Sequence, residues 1–272
     1  MTPAGRLVVC PTPIGNLADV TLRVLETLRA ADVIACEDTR RTGVLLAHHS
    51  IARSSLVSLH EHNESARTPG LVARIAAGAV VALVSDAGMP SVSDPGYVLI
   101  REALRSEVAV EVLPGASAVL VAIVASGLPA DTWRFAGFLP RKPADLTTAL
   151  SSADTLVAFE SPRRLARTLT TLASVDPSRP VAVCRELTKL HEEVVRGTAA
   201  DVAAHFERHE PRGEIVLVIG PAPPSTPALD AAVEALASLV ESGAKPRPAA
   251  RVVADLTGVP ANTLYEALQK RD

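Results

Sequence analysis

The first half of the chain alternates between short apolar runs and helical segments, and this alternation restricts the fold more than any other feature. Five apolar runs have the length and composition of buried strands: 7–10, 33–36, 56–59, 80–84 and 110–113. Helical patterns separate them, and either Asp19 or Thr21 is suited to begin the first helix. Strands that alternate with helices predict a mostly parallel sheet covered on both faces, so we expect an α/β domain.

A polar loop follows each of these strands, and the loop after the fourth strand is the richest in Gly, Pro, Ser and Asp. It covers 85–96, with the sequence Ser-Asp-Ala-Gly-Met-Pro-Ser-Val-Ser-Asp-Pro-Gly. The other loops lie at 12–16, 37–41, 60–64 and 114–117. The carboxyl ends of parallel strands share one edge of a sheet, where open α/β sheets bind ligands. We therefore expect a ligand site there, although a plain crossover loop is the alternative for each loop taken alone.

Beyond residue 130 the pattern predicts a second domain of a different kind. Strand-like runs lie closer together at 131–220, which indicates more direct strand pairing and fewer crossovers than in an N-terminal domain at 1–130. A proline-rich linker at 221–227 leads to a C-terminal helical segment at 228–272. Its last two helices, joined through Thr257-Gly-Val-Pro260, resemble a helix-turn-helix; a helical cap or a dimer contact is the alternative.

Composition narrows the possible partners and the compartment. The formal net charge is −3, which argues against coating nucleic acid by bulk charge. Aromatic residues make up 3%, so we do not expect base stacking on an aromatic platform to be the main binding mode. Three cysteines (Cys10, Cys36 and Cys184) are far apart and form no Cys-x-x-Cys pair, which predicts free thiols in a reducing compartment. With no apolar run of spanning length, we expect a cytoplasmic protein with no membrane partner.

Several common kinds of site have no support in the sequence. There is no Walker A loop, no Gly-x-Gly-x-x-Gly and no cluster with metal-ligand spacing, so we expect no metal. The Gly- and Pro-containing loops allow a small ligand to approach the main chain closely. Basic residues follow strands in both domains and predict a rim that binds RNA phosphates, with solvated loop charge as the alternative: Arg40, Arg41, Arg141, Lys142, Arg163, Arg164, Arg185 and Lys189.

Seven motifs in unbroken order resemble those of the ribosomal small subunit methyltransferase I family, within the wider tetrapyrrole methylases. They are Leu7-Val-Val-Cys-Pro-Thr-Pro-Ile-Gly-Asn-Leu17, Cys36-Glu-Asp-Thr-Arg40, the stretch 83–96, Leu113-Pro-Gly-Ala-Ser117, Phe138-Leu-Pro-Arg-Lys142, Phe159-Glu-Ser-Pro-Arg-Arg164 and Cys184-Arg-Glu-Leu-Thr-Lys189. Porphyrin-type relatives carry Gly-Asp-Pro where this chain has Gly88-Met-Pro90, and Gly-Pro-Gly-Asp where it has Thr12-Pro-Ile-Gly15. These departures favour RNA over a tetrapyrrole as the substrate.

The resemblance implies an S-adenosylmethionine-dependent enzyme that methylates the ribose 2′-hydroxyl of a cytidine in the decoding region of 16S ribosomal RNA. It implies two unlike α/β domains with the cofactor in the cleft between them, a homodimer, and the small ribosomal subunit as partner. The alternatives are a corrin or porphyrin C-methyltransferase and a non-catalytic RNA-binding protein on the same fold. Carried over by position, the cofactor contacts are Pro13, Ala87, Gly88, Met89, Val92, Ser117, Ala118, Glu160, Leu187 and Ile215.

Removal of the hydroxyl proton requires a base or a charge that stabilises the forming alkoxide. The candidates on the expected cleft edge are Glu37, Asp38, Arg40, His60, Glu61 and Glu186. Among them we expect Glu37 or Glu61 to be the base and Arg40 to hold the substrate. The alternative is that these side chains only hold their loops in place by hydrogen bonds.

Overall fold

The computed structural model describes residues 5–52, 55–221 and 226–269, and its first sheet has five strands, all parallel, in the order β3-β2-β4-β1-β5. The strands are β1 (Arg6–Val9), β2 (Val33–Cys36), β3 (Ser55–Ser58), β4 (Val80–Val84) and β5 (Ala109–Val112). The helices that connect and follow them are α1 (Leu22–Ala30), α2 (Thr39–His48), α3 (Glu64–Ala76), α4 (Tyr97–Arg105) and α5 (Ala118–Ser126). The expected alternation is confirmed.

Alternate residues of each strand supply two apolar layers, one on each face of this sheet. Val8, Ile34 and Ala82 pack with the buried side of α1 and α2. Their neighbours, such as Leu7 and Val81, pack with α3 and α4 on the other face. Because both faces are covered, strands β2 and β4 are apolar along their whole length, as the sequence predicts for a parallel sheet.

The helix starts of this half are fixed by side chains near the strand ends. Of the two residues considered for the start of α1, Thr21 is the cap, since its hydroxyl accepts a hydrogen bond from the Val24 amide at 3.2 Å. Asp38 caps α2 through the Arg40 amide at 2.8 Å. Helix α4 starts at Gly96 without a side-chain cap of its own, and a carboxylate of α3, Glu64, takes that role. Each cap orders the polar loop that precedes it.

The second sheet also has five strands but is mixed, in the order β6-β7-β10-β8-β9. Only β6 and β7 pair in parallel; the other three pairs are antiparallel. The strands are β6 (Trp133–Phe138), β7 (Thr155–Glu160), β8 (Pro180–Arg185), β9 (Glu193–Thr198) and β10 (Ile215–Ile219), with α6 (Pro143–Leu150), α7 (Pro162–Val175) and α8 (Ala199–Arg208). Two unlike α/β sheets are therefore confirmed.

Helix α5 joins the two halves, because it follows the first sheet in sequence but packs on the second. Val119, Ala122 and Ile123 lie in one apolar cluster with Val157 and Val216 of the second sheet. Helices α7 and α8 cover the opposite face of that sheet. The helix that makes this contact thus lies N-terminal to residue 130, and the domain boundaries given above stay a prediction.

Three C-terminal helices form a small core of their own: α9 (Thr226–Glu241), α10 (Pro246–Thr257) and α11 (Ala261–Gln269). Helix α10 ends at Gly258, whose φ of 74° is left-handed. Of the predicted linker, residues 222–225 lie outside the described part of the chain, and Thr226 already belongs to α9. Within the described residues, no helix is both long and apolar enough to cross a membrane.

Candidate active site

A cavity of about 350 Å³ lies where the loops of the first sheet meet the second sheet. One wall comes from the loops after β1, β4 and β5, represented by Ile14, Met89 and Ser117. The other comes from the ends of β7, β8 and β10, represented by Glu160 and Ile215. The volume is in the range of small-molecule sites, and the position matches the carboxyl-edge site expected for the first sheet.

Every predicted cofactor residue except Pro13 lines this cavity, including the three from the second half: Glu160, Leu187 and Ile215. Pro13 instead lines a smaller cleft next to Thr12, Ser85 and Asp86. Ile14, the next residue, lines the larger cavity instead. Contact between these residues and a cofactor stays a prediction.

The loops after β1 and β4 are fastened to each other at the floor of the cavity. Thr12 and Gly88 exchange two backbone hydrogen bonds of 2.9 Å each, and form an isolated antiparallel bridge. The Thr12 hydroxyl also donates to the Ser85 carbonyl at 3.0 Å, and the Ser85 hydroxyl donates to the Gly88 carbonyl at 3.1 Å. Gly88 has a φ of 79°, a conformation that favours glycine. This explains why the loop after β4 needs glycine at the cavity.

On the opposite side the loop after β1 touches the loop after β8. The Asn16 amide donates to the Thr188 hydroxyl at 3.1 Å. A Cβ placed on Gly15 would lie 2.7 Å from Thr188 Oγ1 and 2.9 Å from the Leu187 carbonyl oxygen. The two halves approach each other here so closely that only glycine fits.

Among the described residues that line the cavity, the ionisable side chains are three carboxylates and the thiol of Cys184. The carboxylates are Asp94, Glu160 and Glu214. Glu160 is buried and accepts from the Ser161 amide and the Thr168 hydroxyl, both at 2.7 Å. Glu214 accepts from Lys189 Nζ at 3.0 Å. The wall therefore carries negative charge and, within the described chain, no Lys, Arg or His.

Asp94 differs from the other two carboxylates in its pKa, and it is not among the catalytic candidates that the sequence suggested. Burial, followed by the charge of Glu37, raises the pKa of Asp94 to about 6, and Asp86 and Glu214 act in the same direction. The nearby Ser85 side chain opposes this rise in pKa. Two other acids, Glu37 and Asp86, follow strands β2 and β4, which are adjacent in the sheet. The presence of an acid after each of these strands was the signal in the sequence that could have pointed to a carboxylate cluster.

The predicted catalytic residues are placed very differently. Glu37 is half-buried beside Asp86, and burial together with Asp86 raises its pKa. The side chain of Glu61 is 82% exposed and lies 3.6 Å from His62. The side chain of Arg40 is 90% exposed and pairs with Asp38 at 2.6 Å, a contact that holds the pKa of the Asp38 carboxyl well below its usual range. The structure thus brings Glu37, and not Glu61, close to the other carboxylates.

The predicted basic rim divides into paired and free side chains. Arg164 donates to the Leu139 and Pro140 carbonyls, at 3.0 and 2.7 Å, and so supports the loop after β6. The other paired members are Arg40 with Asp38, Arg41 with Asp86, Arg185 with Glu193, and Lys189 with Glu186 and Glu214. Within the described residues, no ion pair or hydrogen bond holds the exposed side chains of Arg141, Lys142 and Arg163.

Comparison with known proteins agrees with the fold. The family model described as Tetrapyrrole (Corrin/Porphyrin) Methylases matches residues 6–203. A protein named Ribosomal RNA small subunit methyltransferase I from Streptococcus pyogenes serotype M1 is 42% identical over 97% of this chain and 94% of its own length. The chain belongs to the ribosomal RNA small subunit methyltransferase I family of tetrapyrrole methylases. A relative of the same name from Mesorhizobium japonicum is 49% identical over 82% of the chain and 76% of its own length.

Solved structures of family members share the two-sheet architecture. A uroporphyrin-III-C-methyltransferase from Thermus thermophilus is 28% identical, with a TM-score of 0.57 over 79% of this chain and 94% of that one. A second structure from that organism, complexed with S-adenyl homocysteine, has the same TM-score over 79% of this chain and 97% of that one, at 23% identity. The matches to these structures cover about four-fifths of this chain. The seven motifs that carry the resemblance lie within the residues that the family model matches.

Proposed function

We propose that this chain transfers the methyl group of S-adenosylmethionine to the ribose 2′-hydroxyl of a cytidine in the decoding region of 16S ribosomal RNA. The cavity between the two sheets carries the proposal, because its walls come from the loops that the family motifs occupy. The relatives named Ribosomal RNA small subunit methyltransferase I support the same substrate class.

The walls of the cavity suit S-adenosylmethionine. Apolar side chains such as Ile14, Met89 and Leu187 offer a surface for a flat adenine ring, and nearby main-chain groups supply polar contacts. The carboxylates of the wall favour a positively charged sulfonium and disfavour a phosphate-bearing cofactor. When bound, the cofactor supplies an electrophilic methyl group.

This chain must then align the ribose hydroxyl in line with the carbon–sulfur bond and accept its proton. From the sequence, Glu37 and Glu61 are the proposed bases and Arg40 the proposed substrate clamp. The position of Glu37 beside Asp86 supports it over Glu61, whose side chain faces solvent. Arg40 is exposed and close to the same edge of the sheet, which is compatible with a contact to the RNA backbone.

We also propose that the basic rim binds RNA phosphates around the cavity. Phe138 lines the cavity, Arg141 and Lys142 follow it in the loop before α6, and Arg163 lies in the first turn of α7. Since these three cations hold no ion pair in the described chain, binding a phosphate costs no intramolecular partner. The paired members of the rim contribute to phosphate binding only if the RNA displaces the carboxylates with which they pair or binds beside them.

A homodimer is the proposed assembly, and the small ribosomal subunit in the cytoplasm is the proposed partner. Support for the dimer comes from the outer face of α5, where Leu120 and Val124 are 52% and 81% exposed. An apolar helix face of this kind is typical of a surface that another protein covers. Sedimentation velocity should give twice the chain mass; a monomer at micromolar concentration would refute the assembly.

Two measurements test the proposed activity. S-adenosylmethionine at 100 times its Kd should stabilise the protein by about 2.7 kcal/mol, visible as a rise in Tm. Labelled methyl should then pass to 30S particles or to naked 16S RNA, and not to uroporphyrinogen. Transfer to the tetrapyrrole alone would favour the C-methyltransferase alternative, and the absence of any cofactor binding would favour a non-catalytic RNA-binding protein.

A further inference from the structure

We propose that Asp94 is the general base that takes the proton of the target hydroxyl, a role for which the sequence alone suggested other residues. The inference rests on the proposed methyl transfer and names the group that carries out its proton step. It follows from the position of Asp94 in the cavity wall, from the contacts of the competing carboxylates, and from the acidic cluster that surrounds it.

The position of Asp94 is the first argument. It lines the cavity together with Met89, Val92 and Ser93, on the loop that connects β4 to α4. Both ends of this loop are fixed: Gly88 is bridged to Thr12, and the Gly96 amide donates to Glu64 at 3.0 Å. Asp94 is therefore a cavity carboxylate on an anchored loop, as a base that must meet its substrate in one geometry requires.

The other carboxylates of the cavity wall are already engaged. Glu160 is buried and is held by an amide, a hydroxyl and the guanidinium of Arg164 at 3.4 Å. Glu214 is paired with Lys189. No ion pair to Asp94 occurs within the described chain, and the nearby Ser85 side chain only partly offsets the rise in its pKa. Only Asp94 is left free to accept a proton.

The charges that face Asp94 come from three directions. Glu37 follows β2, Asp86 follows β4, and Glu214 precedes β10; all three raise its pKa. Arg41 also lies near these acids: it lowers the pKa of Glu37 and is paired with Asp86 at 3.1 Å. His60 lies near Glu37 and lowers the pKa of that acid. A carboxylate that burial and like charges make more basic is better matched to accept a proton near neutral pH.

The proton step balances without a further reactant. The 2′-oxygen forms a bond to the methyl carbon as the carbon–sulfur bond breaks, and the electron pair of that bond remains on sulfur. The hydroxyl proton passes to the carboxylate of Asp94. The protonated acid then releases this proton to water, and the site is ready for another round.

The test compares single-turnover methyl transfer by the wild type, Asp94→Asn, Asp94→Glu and Glu37→Gln on 30S particles between pH 5 and 9. General base catalysis is worth about 10²- to 10⁴-fold, so Asp94→Asn should slow transfer by at least 100-fold and remove the inflection near pH 6. Asp94→Glu should recover part of the rate, because it restores the carboxylate. Asp131→Asn, an exposed site, is the matched control and should keep the wild-type profile.

Binding and stability separate this role from a structural one. The Kd for S-adenosylmethionine should change less than threefold in Asp94→Asn, and its Tm at pH 8 should be unchanged or raised, because the variant removes a charge that its surroundings disfavour. Retention of more than one-tenth of the wild-type rate, a tenfold weaker cofactor Kd, or loss of the inflection in Glu37→Gln alone would overturn the role of Asp94. No transfer by the wild type would instead overturn the proposed function.

Discussion

The carboxylate of Glu64 should contribute strongly to stability, because it caps a helix to which it does not belong. Its side chain on α3 is buried, and Oε1 accepts from the amides of Gly96, Val98 and Leu99 at 3.0, 2.9 and 3.2 Å. These amides open α4, where the helix dipole also favours negative charge. Hydrogen bonds to a charged group contribute about 1.5–3 kcal/mol each, and three that share one oxygen do not add in full.

Replacing Glu64 with alanine leaves three amides without their acceptor and should lower the free energy of unfolding by about 3–5 kcal/mol. Glu64→Gln keeps an oxygen but loses the charge, and should cost about 1–2 kcal/mol. Urea titration followed by circular dichroism measures both. Glu102→Gln on α4 is the control: its pair with Arg105 is exposed, so its removal should cost less than about 0.5 kcal/mol. A decrease below 1 kcal/mol in Glu64→Ala would refute the capping role.

Three other predictions follow from the site and the core. Gly15→Val should weaken cofactor binding at least tenfold in calorimetry, since its Cβ would lie 2.7 Å from Thr188 Oγ1; wild-type affinity would contradict the close approach. Replacing Arg141 and Lys142 by alanine should reduce the salt dependence of RNA binding, by about 0.7 in log–log slope for each phosphate that the variant no longer binds, with cofactor affinity unchanged. The thiols should resist Ellman's reagent until unfolding, because burial raises the pKa of Cys10 to about 12; fast native reaction would contradict this.

The sequence was sufficient to predict the first sheet, because its signal is local. A strand such as Val33–Cys36 is an uninterrupted apolar run, and α2, the helix that follows it, has its own cap in Asp38. The second sheet was harder to predict, since β10 lies between β7 and β8 although it is the last strand in the chain. That order depends on contacts between distant residues, which periodicity does not encode. The packing of α5 on this sheet is of the same kind.

The sequence was sufficient to predict which loops form the candidate site, but not which of its carboxylates is free to react. Glycine and proline mark positions such as Gly88 where the chain must turn. The family motifs gave the predicted cofactor residues, and all of these except Pro13 line the cavity. The pattern of residues does not show which carboxylate is free. Glu160 is engaged by Ser161 and Thr168 in the segment that follows it, and Glu214 by the distant Lys189. Asp94 acquires its raised pKa from burial and from the charges of Glu37 and Asp86. Those relations exist only in the folded protein.

The central proposal is that the cavity between the two sheets serves methyl transfer to a ribose hydroxyl of 16S ribosomal RNA. Incubation of 30S particles with the protein and deuterated S-adenosylmethionine, followed by nuclease digestion and mass spectrometry, tests it most directly. The predicted result is one labelled methyl group on the ribose of a single cytidine in the decoding region. Label on a base, at another site or on no nucleotide of the RNA would contradict the proposal.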